Sequence, residues 1–396
     1  MIKFKNGVLA LNMGSSSIKF CAFDFKKDFE VVIQGSLEIG QENSRLHFHF
    51  GNPAEHTVMD IEIKGPRESI HYLTQWIPEQ ISMDNILGIG HRLVQGFAHK
   101  ETERVGGNLL DDLKTYLPAD PDHLPGEIEL IEAMGKAFPE IPQWACFDTL
   151  FHKDLPELAK IFPIPRKYYA MGIQRYGFHG ISYEYILEEL GKIEGDQIID
   201  KKIILAHLGS GASMVAVKNG KSLDTSMGYT PVSGFMMGTR SGDLDPGITD
   251  AMIKRDQSSP EECFTLLNKG SGLLGVSERS SDMRILKKFQ ETDSRAKQAI
   301  QLFAYQVKKF IGSYASVLNG LEILVFSGGI GEKDVEFREL VCTEMDYLGI
   351  QLDRHKNKGS EILISSDQSR VKIFVIPTFE ELMIAKRIVR LSNLHL

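Results

Sequence analysis

Two stretches of this chain decide its fold. They are Val8-Leu-Ala-Leu-Asn12-Met-Gly-Ser-Ser-Ser17-Ile-Lys-Phe-Cys-Ala-Phe23 and Ile203-Ile-Leu-Ala-His207-Leu-Gly-Ser-Gly211-Ala-Ser-Met-Val-Ala-Val217. In each stretch an apolar run meets a turn of small residues and returns as a second apolar run, which is the pattern of a β-hairpin. Asn12 and His207 hold matching places in the two hairpins, 195 positions apart. A repeat at this distance predicts two homologous halves, because solenoid repeats recur every 20–50 residues or so.

The segments around these hairpins alternate between helix and strand patterns. Apolar residues recur at helical spacing in 127–138, 182–191, 295–318 and 382–391, whereas 322–327 and 371–376 are continuous apolar runs of strand length. This alternation predicts an α/β fold. No Pro-rich or Ser-rich linker separates the halves, so the duplication alone places a domain boundary near residue 150.

The composition restricts the classes of partner. The 396-residue chain is 42% hydrophobic and 25% charged with a net charge of −8, so it has no general attraction for nucleic acid or anionic lipid. It contains no apolar run of about 18 residues, the length that predicts a membrane span. Its four cysteines lie far apart in the sequence, which favours a reducing compartment over a disulfide framework. We therefore expect a cytoplasmic protein.

Three familiar motifs do not predict the sites that they resemble. Gly220-Lys221-Ser222 looks like the end of a Walker A loop but lacks the earlier glycine, and Asn219-Gly220 is typical of a hairpin turn. Gly270-Ser-Gly-Leu-Leu-Gly275 fits a dinucleotide-binding pattern but follows a helical segment rather than a strand. His47 and His49 share one strand face without a third ligand nearby in the sequence, so we expect an exposed strand there and no metal site.

Turns of small residues indicate phosphate binding. Asn12–Ser17, with Lys19 just beyond it, follows an apolar strand, and so do His207–Gly211 and Gly328–Gly331. Small residues let the backbone approach an anion closely, and successive N–H groups form a concavity for phosphate. Turns at the carboxyl ends of strands are also where open α/β sheets bind ligands.

Arginines near such turns add positive charge. Arg92 ends an apolar run, Arg240 lies in a glycine-bracketed turn, and Arg284 follows a polar loop. A planar guanidinium binds a carboxylate or a phosphate through two parallel hydrogen bonds. Each could instead form a surface salt bridge, although the flanking Gly238 and Gly242 favour a functional role for Arg240.

Acidic and imidazole side chains complete the set of candidates. Asp148 and His179 lie in apolar or glycine-containing turns, where they are candidates for acid–base or charge-stabilising roles; the alternatives are a helix-capping Asp and a core His. Glu380 and Glu381 precede the last helical stretch. They could cap that helix or offer oxygen ligands to Mg²⁺.

The chain resembles the acetate kinase family. The resemblance runs in order from residue 8 to about residue 386 and is carried by eight motifs: Asn12–Lys19, Phe147-Asp-Thr149 with Phe151-His152, Arg175–Gly180, His207–Gly209, Asp224–Gly228, Gly238–Asp243, Gly328–Glu332, and Pro377-Thr378 with Glu380–Leu382. It implies duplicated ribonuclease-H-like domains of the actin-like ATPase type with an interdomain cleft. The implied domains are an N-terminal acyl-kinase domain, 1–150 with the C-terminal helix 381–396, and a nucleotide-binding domain, 151–380.

The resemblance also implies ATP-dependent phosphorylation of acetate to acetyl phosphate, with Mg²⁺ or alternatively Mn²⁺, in a homodimer. The implied catalytic residues are Asp148, His179 and Arg240, and Asn12 and Glu380 would organise the metal. Arg92 would bind the acetate carboxylate, and Val94, Phe178 and Pro231 its methyl group. The implied nucleotide-binding residues are Lys19, His207, Leu208, Gly209, Ser210, Gly211, Asp282, Met283, Arg284, Gly329, Ile330, Gly331, Glu332 and Lys333.

Some positions depart from the family pattern. Ser210, Lys333 and Phe379 each stand where the family has asparagine, and Gln95-Gly-Phe97 and Pro118-Ala-Asp-Pro121 also differ. The catalytic positions are intact, so the chemistry is better supported than the nucleotide affinity or the acyl specificity. The alternatives are a propionate or butyrate kinase and, from another class, an actin-like or Hsp70-like nucleotide switch.

Overall fold

The chain divides into two compact units. The computed structural model describes residues 4–14, 16–40, 42–51, 53–117 and 120–392. Unit 1 comprises Met1–Leu150 and Phe379–Leu396, and unit 2 comprises Phe151–Thr378. The chain thus returns to unit 1 at Phe379, one residue before its last helix begins, rather than at 381. Ser15 of the first turn, Pro118 and Ala119 of the divergent segment, and positions 393–396 of the C-terminal segment lie outside the described residues.

The described residues form thirteen strands and fifteen α-helices, together with five short 3-10 helices. The strands are β1 Gly7–Met13, β2 Ser17–Asp24, β3 Glu30–Glu38, β4 Ser44–Phe50, β5 Thr57–Ile61, β6 Ile86–Leu93, β7 Glu103–Arg104, β8 Gln143–Phe147, β9 Ile203–Leu208, β10 Ala212–Lys218, β11 Lys221–Thr225, β12 Ile323–Ser327 and β13 Lys372–Val375. The helices are α1 Gly65–Gln80, α2 Gly107–Thr115, α3 Leu124–Ala137, α4 Glu157–Lys160, α5 Arg166–Ala170, α6 Gly180–Glu194, α7 Pro246–Asp256, α8 Pro260–Lys269, α9 Gly272–Ser277, α10 Met283–Phe289, α11 Ser294–Val317, α12 Gly328–Lys333, α13 Val335–Cys342, α14 Arg354–Lys358 and α15 Glu380–Leu391.

Each unit is built on one mixed sheet. In unit 1 the strand order is β5-β4-β3-β2-β1-β6-β8-β7, and in unit 2 it is β11-β10-β9-β12-β13. The first strand of each unit, β1 or β9, forms an antiparallel hairpin on one side and pairs in parallel with a later strand, β6 or β12, on the other. The five strands β3-β2-β1-β6-β8 therefore repeat the order and direction of β11-β10-β9-β12-β13. The α/β fold with duplicated halves is confirmed.

The central strands of unit 1 are covered by helices on both faces. One face, with Leu9 and Leu11, joins a buried cluster that includes Leu73 of α1 and Met134 of α3. Helix α15 packs against β1 and β6, close to Gly90, where a Cβ would overlap Ile384 and Ile388. Strands buried on both faces are continuous apolar runs, as in β1.

The parallel pairing brings candidate residues together at the strand ends. Asn12 pairs with Arg92 across β1 and β6, and His207 pairs with Ser327 across β9 and β12. The ends of β6 and β8 also lie side by side, since Leu93 pairs with Phe147. Turn residues that follow these strands are therefore neighbours within each unit.

Two local predictions need correction. Gly328–Gly331 was expected to be a turn, but it is the start of helix α12; Gly328 makes the sharp change of direction at φ +74°. The exposure expected for His49 is wrong: it lies on β4 but is only 9% exposed, and the ring of His56 lies 6.4 Å from its ring. The Asn219-Gly220 hairpin turn is confirmed, both residues having positive φ between β10 and β11. Within the described ranges, every helix is too short or too polar to cross a membrane.

Candidate active site

The first cluster of unit 1 is an ion pair at the ends of β6 and β8. Arg92 Nη2 donates to Asp148 Oδ2 at 2.7 Å, and the two side chains are 12% and 0% exposed. Arg92 Nη1 donates to Asn12 Oδ1 at 3.3 Å. Burial opposes the charge on Arg92, but Asp148 and Glu380 outweigh it and raise the pKa of the guanidinium. Arg92 Nε is buried without a hydrogen-bond partner in the described chain, so one N–H of the guanidinium is left unpaired.

Asn12 connects this ion pair to the start of α15. Its Nδ2 donates to Glu380 Oε2 at 2.7 Å and to Glu381 Oε1 at 3.0 Å. One amide and two carboxylates thus lie together, and such hard oxygen donors suit Mg²⁺, which needs only one or two carboxylates beside phosphate oxygens and water. The residues present fit that ion. Phe379, just before them, packs against Phe23 with ring centroids 5.6 Å apart, which fills its position with an apolar side chain.

One buried carboxyl near Arg92 was missed in the sequence. Glu127 lies on α3 at 2% exposure, and its Oε1 accepts the Val94 backbone N–H at 3.0 Å. Asp120, also buried, is paired with His123 at 3.0 Å. The sequence did contain a sign of this buried acid: Glu127 lies on the helix face that carries Leu124 and Ile128, where an unpaired charge is costly.

The first cluster of unit 2 is a pair of stacked histidines. The rings of His179 and His207 have centroids 4.3 Å apart and planes inclined by 25°. His179 Nδ1 lies 2.8 Å from Ser213 Oγ, which also bonds the Tyr183 hydroxyl. His207 Nδ1 lies 2.8 Å from Ser182 Oγ. Buried hydroxyls therefore fix the orientation of both rings.

Arg240 lies beside these histidines. A Cβ at Gly211 would lie 3.6 Å from both Arg240 Nη1 and His179 Nε2. The absence of that Cβ lets a ligand approach both nitrogens over the backbone of residue 211. Arg240 Nη1 also donates to the Pro231 carbonyl at 3.3 Å, which holds the guanidinium against its own loop.

Phe178 is fixed by a core histidine. His152, 1% exposed, accepts from Ser222 at Nδ1 (2.8 Å) and donates to the Phe178 carbonyl from Nε2 (3.0 Å). Phe178 itself is 2% exposed. Of the three predicted methyl contacts, Phe178 and Pro231 belong to unit 2, and Val94 belongs to unit 1.

The predicted nucleotide loops converge on Gly238. Its N–H donates to the Ser210 carbonyl at 3.0 Å, and its Cα hydrogen faces the Ser281 carbonyl. Asp282 caps helix α10, and its carboxylate also pairs with Arg284 at 2.6 Å, although Arg284 is 88% exposed. The segments around 210, 238 and 282 are therefore neighbours in unit 2.

Helix α12 adjoins the same strand ends. A Cβ at Gly209 would lie 3.9 Å from the Gly329 nitrogen. Glu332 Oε1 accepts the backbone N–H groups of Gly328 at 2.9 Å and Thr378 at 3.1 Å. Lys19, the remaining predicted nucleotide contact, belongs to unit 1; it is exposed on β2, where it pairs with Asn12.

The two units therefore offer complementary chemistry. Unit 1 has a buried guanidinium beside carboxylates, and a guanidinium is the kind of group that pairs with a carboxylate through two hydrogen bonds. Unit 2 has an arginine, two oriented imidazoles and a bare backbone turn, donors of the kind that stabilise a phosphoryl group in transfer.

Comparison with known proteins gives a consistent result. The model of the acetokinase family matches residues 7–386. An acetate kinase of Dictyoglomus turgidum is 41% identical over 394 residues, covering 97% of each chain. The structure of Porphyromonas gingivalis acetate kinase aligns with a TM-score of 0.87 and 35% identity over 98% of this chain and 100% of that one. A propionate kinase from Francisella tularensis aligns with a TM-score of 0.89 and 37% identity over 96% and 98%. The chain belongs to the acetokinase family.

Proposed function

We propose that this chain is a phosphotransferase that transfers the γ-phosphoryl group of ATP to acetate, forming acetyl phosphate and ADP reversibly. The observation that carries the proposal is the convergence of Arg240 Nη1 and His179 Nε2 on the bare backbone of Gly211. Such donors stabilise the charge on the equatorial oxygens of the phosphoryl group during in-line transfer.

The acid needs orientation rather than activation. A carboxyl group with a pKa of about 4–5 is already ionised at neutral pH. One acetate oxygen attacks the γ-phosphorus while the bond to the β–γ bridging oxygen breaks, and ADP leaves with that oxygen. Arg92 binds the carboxylate, and Asp148 holds Arg92 in place at 2.7 Å. Positive charge and positioning supply the rate enhancement.

Mg²⁺ is part of the proposal. Asn12, Glu380 and Glu381 would hold it, and their mutual hydrogen bonds already gather these oxygen donors. When bound, the ion neutralises charge on the nucleotide phosphates. The family resemblance adds a homodimer and a cytoplasmic location. The four cysteines are buried and outside disulfide bonds, which is in line with a reducing compartment.

A second acid substrate is favoured by one observation. The Francisella propionate kinase is as similar in structure to this chain as the acetate kinases are. Propionate is therefore the main alternative substrate.

A hydroxamate assay for acyl phosphate tests the function. The purified chain is incubated with ATP, Mg²⁺ and acetate, propionate or butyrate, with an Mg²⁺-free reaction containing a chelator as control. We expect acid-dependent and Mg²⁺-dependent acyl phosphate. ATP hydrolysis that is independent of any acid, with no acyl phosphate formed, would instead identify a nucleotide switch.

A further inference from the structure

Glu127 is a carboxyl group buried where no charge is expected. It lies on α3 at 2% exposure, on the same helix as Leu124, Ile128 and Ile131, which pack with Leu93 and Phe147 at the ends of β6 and β8. An acid in such a layer costs free energy unless a specific contact compensates. The contact it makes therefore indicates its role.

That contact is to the backbone just beyond β6. Strand β6 ends at Leu93, and the next N–H, that of Val94, donates to Glu127 Oε1 at 3.0 Å. Val94 is two residues from Arg92. The chain leaves the sheet between Arg92 and Val94, the two residues of this segment that are assigned to the acid substrate. Glu127 supplies the hydrogen-bond acceptor at this point.

Glu127 faces groups of both charges. Burial raises the pKa of Glu127 well above its usual value, and Asp120 raises it further, whereas Arg92 and the Val94 N–H oppose the rise. Asp148 also faces it, and Asp120 is paired with His123. Glu127 Oε2 and Asp120 Oδ2 are both buried without a hydrogen-bond partner among the described residues. A protonated Glu127 keeps its carbonyl oxygen for Val94 and adds no negative charge beside Arg92.

We propose that Glu127 is a positioning residue for the acid substrate: by holding the Val94 amide it sets the spacing between the carboxylate-binding Arg92 and the methyl contact at Val94. The inference rests on the proposed function, since it assigns Glu127 to the acyl side of that reaction. It predicts that removing the acceptor at Glu127 changes the KM for acetate and leaves the KM for ATP unchanged.

The test compares three variants in the full-length chain. Glu127→Gln keeps a carbonyl acceptor, and Glu127→Leu removes it at similar volume. Ile128→Ala loosens the same helix and leaves the acceptor of the Val94 N–H in place. We expect Glu127→Leu to raise the acetate KM about tenfold or more, as for a buried N–H left unpaired, with an unchanged ATP KM. Glu127→Gln and Ile128→Ala should leave the acetate KM within about twofold of the wild type.

A pH profile gives a second readout that a purely structural role would not change. In the wild type, ionisation of Glu127 as the pH rises through its raised pKa places a negative charge near the bound acid, so the acetate KM should rise with pH. In Glu127→Gln this rise should be smaller, and the comparison holds even if Glu127→Leu does not fold.

Three results would overturn the proposal in an active enzyme. They are an unchanged acetate KM in Glu127→Leu, an equal rise in the Ile128→Ala control, or identical pH profiles for the wild type and Glu127→Gln. A wild type that makes no acyl phosphate from any short acid overturns the proposed function, and this inference with it.

Discussion

At the scale of single residues, serine hydroxyls orient the two histidines that are candidates for binding the phosphoryl group. Ser213 and Ser182 hold the Nδ1 atoms of His179 and His207, each at 2.8 Å, and Ser182 is itself bonded to Thr378 at 2.8 Å. A hydroxyl partner at Nδ1 fixes the orientation of each ring. His179 therefore directs Nε2 toward Gly211 as a hydrogen-bonding group whose orientation is set before the nucleotide arrives.

Replacing Arg240 by alanine should abolish most turnover while the chain stays folded. An arginine that stabilises the transferring phosphoryl group contributes roughly 10³–10⁵ in rate. The contacts of Arg240 Nη1 to the Pro231 carbonyl (3.3 Å) and to Met237 Sδ (3.9 Å) are long ones within its own loop, so their loss should cost little stability. The measurements are kcat and the melting temperature, with Arg166→Ala, an exposed arginine of the same unit, as control. A loss below tenfold with an unchanged melting temperature would remove Arg240 from the site.

Glu127→Gln should make the stability of the chain less dependent on pH. Burial and Asp120 raise the folded-state pKa of Glu127, so the folded chain binds this proton more tightly than the unfolded chain. Glu127 therefore costs nothing below its unfolded pKa of about 4.3 and destabilises increasingly as pH rises toward the folded value. Glutamine has no such penalty. The melting temperature of Glu127→Gln minus that of the wild type should increase from pH 5 to pH 8. The same difference at every pH would contradict a raised folded-state pKa of Glu127.

At the scale of elements, the sequence predicted the strands and helices that depend on residues close together in the chain. The hairpins β1-β2 and β9-β10 and the long helices α3, α6 and α11 follow from local periodicity. The pairing of Asn12 with Glu380 and Glu381 joins residues 368 and 369 positions apart, which no spacing rule connects, and only the family resemblance brought Asn12 and Glu380 together. The burial of Glu127 and the helix at Gly328 depend on tertiary packing, so periodicity missed both.

Helix α15 depends on a glycine of β6 for its close approach. A Cβ at Gly90 would overlap Ile384 Cγ2 and Ile388 Cδ1, so Gly90→Ala should destabilise unit 1 by roughly 1–3 kcal/mol, the usual cost of overpacking. Denaturant unfolding checks this value. Gly107→Ala is the matched control, because nothing lies within 4 Å of its Cβ position. Equal stabilities of the two variants would show that α15 adjusts without strain.

At the scale of the whole molecule, the same strand order is used in both units, but the side chains at the corresponding strand ends differ in their chemistry. The first strand of unit 1 ends near Asn12, which gathers carboxylates and a guanidinium. The matching strand of unit 2 ends near His207, which stacks on His179. The shared strand order supplies the scaffold, whereas the side chains at corresponding strand ends have diverged. Loss of either set should abolish transfer, because the reaction needs both an oriented acid and a stabilised phosphoryl group.

The choice of acid follows from the residues proposed to contact its methyl group. Val94 and Phe178 are 3% and 2% exposed, and each is fixed through its backbone, by Glu127 and by His152. An extra methylene gains about 0.8 kcal/mol when buried, but overfilling a packed pocket costs roughly 1–3 kcal/mol. We expect acetate to be favoured over propionate by about 2–50-fold in kcat/KM and butyrate to be nearly inert. Val94→Ala should narrow the acetate-to-propionate ratio. Wild-type kcat/KM values for propionate that equal or exceed those for acetate would make the chain a propionate kinase, with the same assignment of Arg92 and Arg240.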